Sequence, residues 1–166
     1  MGLQWGDVDF NGKFIVVRRC FTRGRVELTK TGKQRRVDMS DALIEVLSAH
    51  RKRLREDWLK EGKNQIPEWV FPNQEGNPLE YYNLKHRHFD KCLQKAGLRR
   101  IRFHDLRHTF ASLLIQNGES LAYIKDQLGQ SSIKMTVDVY GHIVRGANRQ
   151  AVNRIHAENL QAVAAD

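Results

Sequence analysis

The chain has 166 residues, of which 40 % are hydrophobic and 28 % charged, and a formal net charge of +9; this suits one folded domain and argues against a disordered tail. Two cysteines lie 72 positions apart with no CxxC pair, which argues against a disulfide scaffold or a zinc site and fits a reducing compartment. With no run of about 18 apolar residues and no signal peptide, neither a membrane-spanning nor a secreted class is expected, and the chain reads as cytoplasmic.

Leu3, Trp5, Val8 and Phe10 are apolar from the third residue on, with no polar lead-in. Such an opening predicts a piece of a longer protein. Residues 13–39 read as a three-stranded antiparallel meander. Its strands are the β-branched run Phe14-Ile15-Val16-Val17, the alternating stretch from Arg25 to Thr29, and the return from Arg35 to Met39. Turns at Arg23-Gly24 and Thr31-Gly32-Lys33 join them, and Lys30 falls near the second tip. Ser40 is a suitable N-cap for a helix carrying Leu43, Val46, Leu47 and Leu54 to about Lys60. Residues 61–80 hold all three prolines and read as loop, with Trp69-Val70-Phe71 as a short buried segment. A helix from about Tyr82 is expected to end at Gly97.

Three helices follow: about His104 to Asn117, Ser120 to Leu128 with Gly129 after it, and Ser131 or Ser132 to Tyr140. A last helix is expected over Ala147 to Leu160. The predicted class is α+β, mainly α, with a small three-stranded antiparallel sheet near the N-terminus. Charge is clustered. Residues 13–60 hold 14 basic and 6 acidic side chains, and residues 85–107 hold 8 and 2, so the remainder is −5. One-sign clustering of this kind is the footprint of a phosphate-backbone binder, with double-stranded DNA the first candidate.

His104-Asp105-Leu106-Arg107 places an imidazole and a guanidinium three apart at a helix start, where they share a face and the helix dipole favours an anion. Alone, such a pair usually means a solvated helix face. Here it stands in an ordered series. Trp5-Gly6-Asp7-Val8-Asp9 comes first, then Thr29-Lys30-Thr31-Gly32, then His104 to Ala111. Leu128-Gly129-Gln130-Ser131-Ser132 and Tyr140-Gly141-His142 complete it, with Tyr140 thirty-three residues after Arg107. The series resembles the tyrosine recombinase, or phage integrase, family over roughly residues 3–155.

The resemblance implies DNA strand exchange through a 3′-phosphotyrosine, and the residue types suit that chemistry. A phosphodiester is already anionic, so its non-bridging oxygens must be neutralised before attack. Arg107 suits this task, because its planar fork binds phosphate bidentately and stays protonated. Tyr140 would be the nucleophile. A tyrosine hydroxyl is almost wholly neutral at pH 7 and needs its proton removed as it attacks, which His104 is suited to assist as general base or phosphate contact. Lys30 matches the family's general acid for the departing 5′-oxygen, with Lys33 as its rival. His108 reads as support for the fold or a backbone phosphate, and His142 as a partner that orients a neighbour. The resemblance implies neither cofactor nor metal, since arginines neutralise the charge, and no ATP, since the phosphotyrosine stores the bond energy.

Two departures from the family pattern stand out. Its first catalytic arginine lies in a Gly-x-Arg-x-Gly-Glu motif upstream of the Trp-x-Asp segment, and the sequence given does not include that motif. Gln130 stands where the family usually has His or Trp; it can donate a hydrogen bond but cannot carry charge. The expectation is therefore a catalytic-domain fragment over residues 1–166, with a core over 3–145 and a tail over 146–166. It would be separated from its N-terminal core-binding domain and inactive alone. Its expected partners are double-stranded DNA attachment sites and further protomers, with no membrane. The alternative is a DNA-binding module derived from an integrase, without catalysis.

Overall fold

The computed structural model describes residues 1–22, 24–29, 32 and 34–144. Lys30, Lys33, the side chain of His142 and the expected helix over 147–160 lie outside the described residues.

A 3-10 turn over Trp5–Asp7 leads into five short strands: β1 (Val8–Asp9), β2 (Phe14–Val17), β3 (Arg19–Thr22), β4 (Arg25–Leu28) and β5 (Arg35–Asp38). The small antiparallel sheet has the order β1-β2-β5, with Val8 opposite Ile15, and Ile15 opposite Val37. Its membership differs from the expected meander. The stretch from Arg25 does not join β2 or β5; it pairs with β3 in a separate two-stranded ribbon, Thr22 opposite Arg25 and Arg19 opposite Leu28. Locality explains the difference. A two-residue connection containing Gly24, at φ 74°, closes β3 on β4 with little loop entropy. All four residues of β4 are exposed, so no apolar face draws it into the sheet. At the ribbon's root the buried carboxylate of Asp7 pairs with Arg19 at 3.1 Å and Arg18 at 3.3 Å.

Helix α1 (Asp41–Lys60) begins as its sequence predicts: the Ser40 hydroxyl accepts from the Leu43 amide at 3.2 Å. Its buried face presents Leu47 and Leu54 to Trp5, Val8, Met39 and Val70, which form the first core. Val70 belongs to the short buried segment expected in the loop. Its amide donates to Leu3 O at 2.9 Å, and its carbonyl accepts from His50 Nε2 at 2.7 Å.

The helix expected from Tyr82 is composite: α2 (Tyr81–Asn83), a π-helical stretch over Leu84–Phe89, and α3 (Asp90–Lys95). Phe103 meets Phe89 and Tyr81 edge-on, with centroids 5.2 and 5.8 Å apart. Helices α4 (Asp105–Gln116), α5 (Leu121–Leu128) and α6 (Ile133–Val144) pack around the second core, Ala111, Ile124, Leu128 and Tyr140. The described residues are thus mainly helical with a small three-stranded antiparallel sheet near the N-terminus, as the sequence predicts, beside the separate β3-β4 ribbon. Helix α6 runs past its expected end, so Tyr140 lies inside a helix and not at its terminus.

One polar joint ties sheet to helices. The Asp38 amide donates to Gln127 Oε1 at 2.9 Å, and Gln127 Nε2 donates back to Asp38 Oδ2 at 3.2 Å. The Tyr123 hydroxyl donates to the same oxygen at 3.0 Å. The joint fixes β5 against α5, and hence Arg35, at the start of β5, against Gly129 at the end of α5.

Candidate active site

Helix α4 supplies three of the expected residues from its first turns. Asp105 anchors that start: its carboxylate accepts from the Arg102 amide at 2.8 Å, Nε at 3.0 Å and Nη2 at 2.8 Å. These hydrogen bonds hold Asp105 below the usual carboxylate range. Asp105, two positions before Arg107 in sequence, is therefore committed to Arg102, and Arg107 has no acidic partner among the described residues.

Tyr140 reaches this helix from α6. It is 3 % exposed, and its hydroxyl lies 2.8 Å from His108 Nδ1. With the imidazole proton on Nε2, the hydroxyl donates to Nδ1. His104 caps the helix one turn earlier, exposed, its ring edge-on to His108 at 5.1 Å. Burial raises the Tyr140 hydroxyl above the ordinary tyrosine range, and the nearby Arg107 charge pulls the other way. The hydroxyl thus has a hydrogen-bond acceptor in His108 and the Arg107 charge close enough to act on it.

Gln130 follows the end of α5. Gly129 takes the left-handed conformation there, φ 66°, and the chain turns back so that the Gln130 amide donates to Lys125 O at 3.0 Å. Gln130 Oε1 accepts from the fully buried Thr136 hydroxyl. Its side-chain nitrogen has no acceptor among the described residues. Gln130 and Arg35 line one open cleft of about 700 Å³.

Tyr140, His108 and Arg107 are thus brought together, His104 stands beside them, and Gln130 lies across the cleft from β5. Sequence reasoning missed two features. One is Arg35, which is close enough to Arg107 to feel its charge. The available signal was a cation at an inward position of β5, where Arg35 and Val37 are half-buried while Arg36 and Asp38 are exposed. The other is the Asp38–Gln127–Tyr123 joint, signalled by a glutamine on the buried face of α5. Among the described residues no group of three His, Cys, Asp or Glu side chains could hold a metal ion, and no helix is long and apolar enough to cross a membrane.

Comparison with known proteins finds the phage integrase family pattern over residues 1–145. A protein described as tyrosine recombinase XerC-like, from Caldanaerobacter subterraneus, is 30 % identical over 174 aligned positions, which cover 94 % of this chain and 44 % of that relative. The ICEBs1 integrase of Bacillus subtilis is 29 % identical, over 93 % of this chain and 43 % of its own length. Among solved structures, the XerH site-specific recombinase bound to palindromic difH substrate superposes with a TM-score of 0.61. It is 26 % identical, with 86 % of this chain and 37 % of that one covered. The chain spans less than half the length of the curated relatives it matches.

Proposed function

The chain belongs to the phage integrase family, and from that membership we propose that it cuts and rejoins double-stranded DNA at specific sites through a 3′-phosphotyrosine on Tyr140. In the proposed step the Tyr140 oxygen attacks phosphorus and the bond from phosphorus to the 5′-oxygen breaks. The phosphoryl group passes to tyrosine, and the 5′-hydroxyl leaves with a proton. Arg107 clamps the non-bridging oxygens, where charge builds up in the transition state. His108 receives the hydroxyl proton, being already within hydrogen-bond reach. His104, exposed at the helix start, contacts the phosphate and stands next in line for that proton. The Gln130 side-chain nitrogen donates one neutral hydrogen bond to a phosphate oxygen. Lys30 protonates the leaving oxygen, and His142 orients a neighbour. No metal or nucleotide enters the step. Attachment-site DNA and further protomers of an assembly are the proposed partners.

The observation that carries this reading is the 2.8 Å contact between Tyr140 and His108 beside an arginine without an acidic partner among the described residues. The test is a nicked duplex that releases a short strand on cleavage, run on a denaturing gel. In a longer protein that carries the upstream Gly-x-Arg-x-Gly-Glu motif, a covalent protein–DNA band is expected, and Tyr140→Phe should abolish it while leaving DNA binding almost unchanged. A band that survives in the Phe variant excludes Tyr140 as nucleophile. The burial of Tyr140 favours a second reading, a DNA-binding module without cleavage. DNA binding with no covalent band would support it.

A further inference from the structure

Helix α1 gives its Leu47 and Leu54 face to the first core, and a second face borders an open cleft of about 660 Å³ beside the loop that follows the helix. This cleft shares no lining residue with the cleft of Arg35 and Gln130. Part of its lining is apolar and firmly backed. Phe10, Trp58 and Ile66 are half-buried and pack against the first core. Its charged lining is of one sign: Arg51, Lys52, Arg55 and Lys63, with no acidic side chain. The three on α1 are exposed and have no acidic partner among the described residues. Arg51 and Arg55 stand four apart, a spacing at which like charges disfavour a helix. Arg51 rests 5.4 Å from the centroid of the Trp5 ring, which positions it without using its N–H donors. Lys63 shows what satisfies charge here. Its Nζ lies 4.5 Å from the centroid of the Trp58 ring and 2.7 Å from the Glu61 carboxylate, so a carboxylate already meets the rim beside an indole.

We propose that this cleft docks an acidic segment of a partner protein. One large apolar side chain of that segment would lie against Trp58 and Ile66, and flanking carboxylates would meet Arg51, Lys52 and Arg55. Charge complementarity selects an anionic partner, and the apolar wall selects a protein. A DNA backbone would satisfy the cations, but its sugar–phosphate edge brings no apolar side chain to cover the wall. An apolar centre with a charged rim is the ordinary anatomy of a protein interface, and tryptophan and arginine carry much of the binding energy in such places. The docking does not depend on the chemistry of Tyr140.

The test titrates the 166-residue chain with a fluorescent peptide, Asp-Glu-Asp-Phe-Leu-Asp-Glu, read by anisotropy and by backbone amide shifts. Binding should move amides at the cleft, from Arg51 to Ile66, and should weaken as salt is added. Replacing the peptide's acids by Asn and Gln should weaken it by at least about tenfold, the size of one charged hydrogen bond. Replacing its Phe-Leu by Gly-Ser should do the same, through loss of one buried apolar side chain. In the chain, Lys52→Gln together with Arg55→Gln should also weaken binding by at least about tenfold. Lys91→Gln together with Lys95→Gln makes the same charge change at exposed positions on α3 and should leave it unchanged. Amide spectra report whether each variant stays folded. Should the α1 pair not fold, the peptide series and the shift map of the wild type decide. The proposal fails if the peptide does not bind, if binding ignores the loss of Phe-Leu, or if a folded α1 pair binds as well as the wild type. It fails also if a DNA duplex of arbitrary sequence moves the same amides and displaces the peptide, which would make this a nucleic-acid face. Dimers that sediment with the wild type and vanish in the α1 pair would place a second copy in the cleft and overturn it too. None of these results touches the recombinase reading, which stands or falls on the covalent band.

Discussion

Tyr140 serves two ends that conflict. It fills the second core beside Ala111, Ile124 and Leu128, yet in the proposed step its oxygen must reach a phosphate. Burial raises its hydroxyl, so at neutral pH the group is uncharged and held by His108. An unfolded tyrosine ionises near pH 10, below the folded one. Its contribution to stability is thus fully present below about pH 10 and is lost as pH rises toward the folded value, because the unfolded chain gives up its proton first. Urea midpoints for the wild type should fall across about pH 9 to 11, and Tyr140→Phe should flatten part of that fall. An equal slope in both proteins would place Tyr140 in water, against its burial. Arg107 and Gln130 differ in charge. The neutral Gln130 donor should be worth no more than about 10² in cleavage rate, the low end for one transition-state donor. Arg107→Ala removes a charged, bidentate interaction and should cost more. Single-turnover cleavage ranks the two, and a slower Gln130→Ala would reverse the assignment of the main clamp.

At the level of elements, the site is assembled by a joint and not by any one helix. Asp38 binds the Gln127 side chain and the Tyr123 hydroxyl, so strand β5 and helix α5 cannot slide past each other without breaking three hydrogen bonds. Asp38→Ala removes two of these and should cost about 1–3 kcal/mol, reduced from the buried limit by exposure of the carboxylate. The check is a lower urea midpoint at unchanged slope. A changed slope would mean instead that part of the chain had loosened. How far these elements were legible follows from how local their causes are. Ser40 and Ser120 cap their helices within a single turn, and Gly129 ends α5 through its own dihedral angles, so all three could be read from the sequence. The partner of β4 could not. Residues 25–28 alternate equally well for either neighbour, and the choice falls to the turn at Gly24 and to a face that finds no core. The pairing of Tyr140 with His108, rather than with the equally suitable His104, was hidden for a similar reason. Both imidazoles lie on one face of α4 four residues apart, and only the packing of α6 decides which turn the hydroxyl meets.

Across the whole molecule, the sequence's two basic blocks do not form one patch. The first divides on folding. Arg35 and Arg36 lie on β5, on the side of the α5 turn and its cleft, and Arg107 brings in the second block there. Arg51, Lys52 and Arg55 line a different cleft, with Phe10, Trp58 and Lys63. If DNA docks over the proposed active site, only the first group meets the phosphate backbone. Binding to a duplex of arbitrary sequence should then be weak and steeply salt-dependent, with a log–log slope of about −0.9 for each phosphate neutralised. Removing the charge of Arg36 and Arg102 should make that slope shallower by about one for every phosphate that then goes unneutralised. Arg102 also holds Asp105, so its removal frees a carboxylate in the first turn of α4 and should weaken binding beyond its share. Removing the charge of Arg51 and Arg55 lowers the net charge by the same amount, so a purely global attraction would respond equally to both pairs. Fluorescence anisotropy titrations at several salt concentrations separate the two cases. A slope unchanged at Arg36 and Arg102 but reduced at Arg51 and Arg55 would put the DNA on the α1 side, away from Tyr140. That result would leave the proposed nucleophile without a substrate.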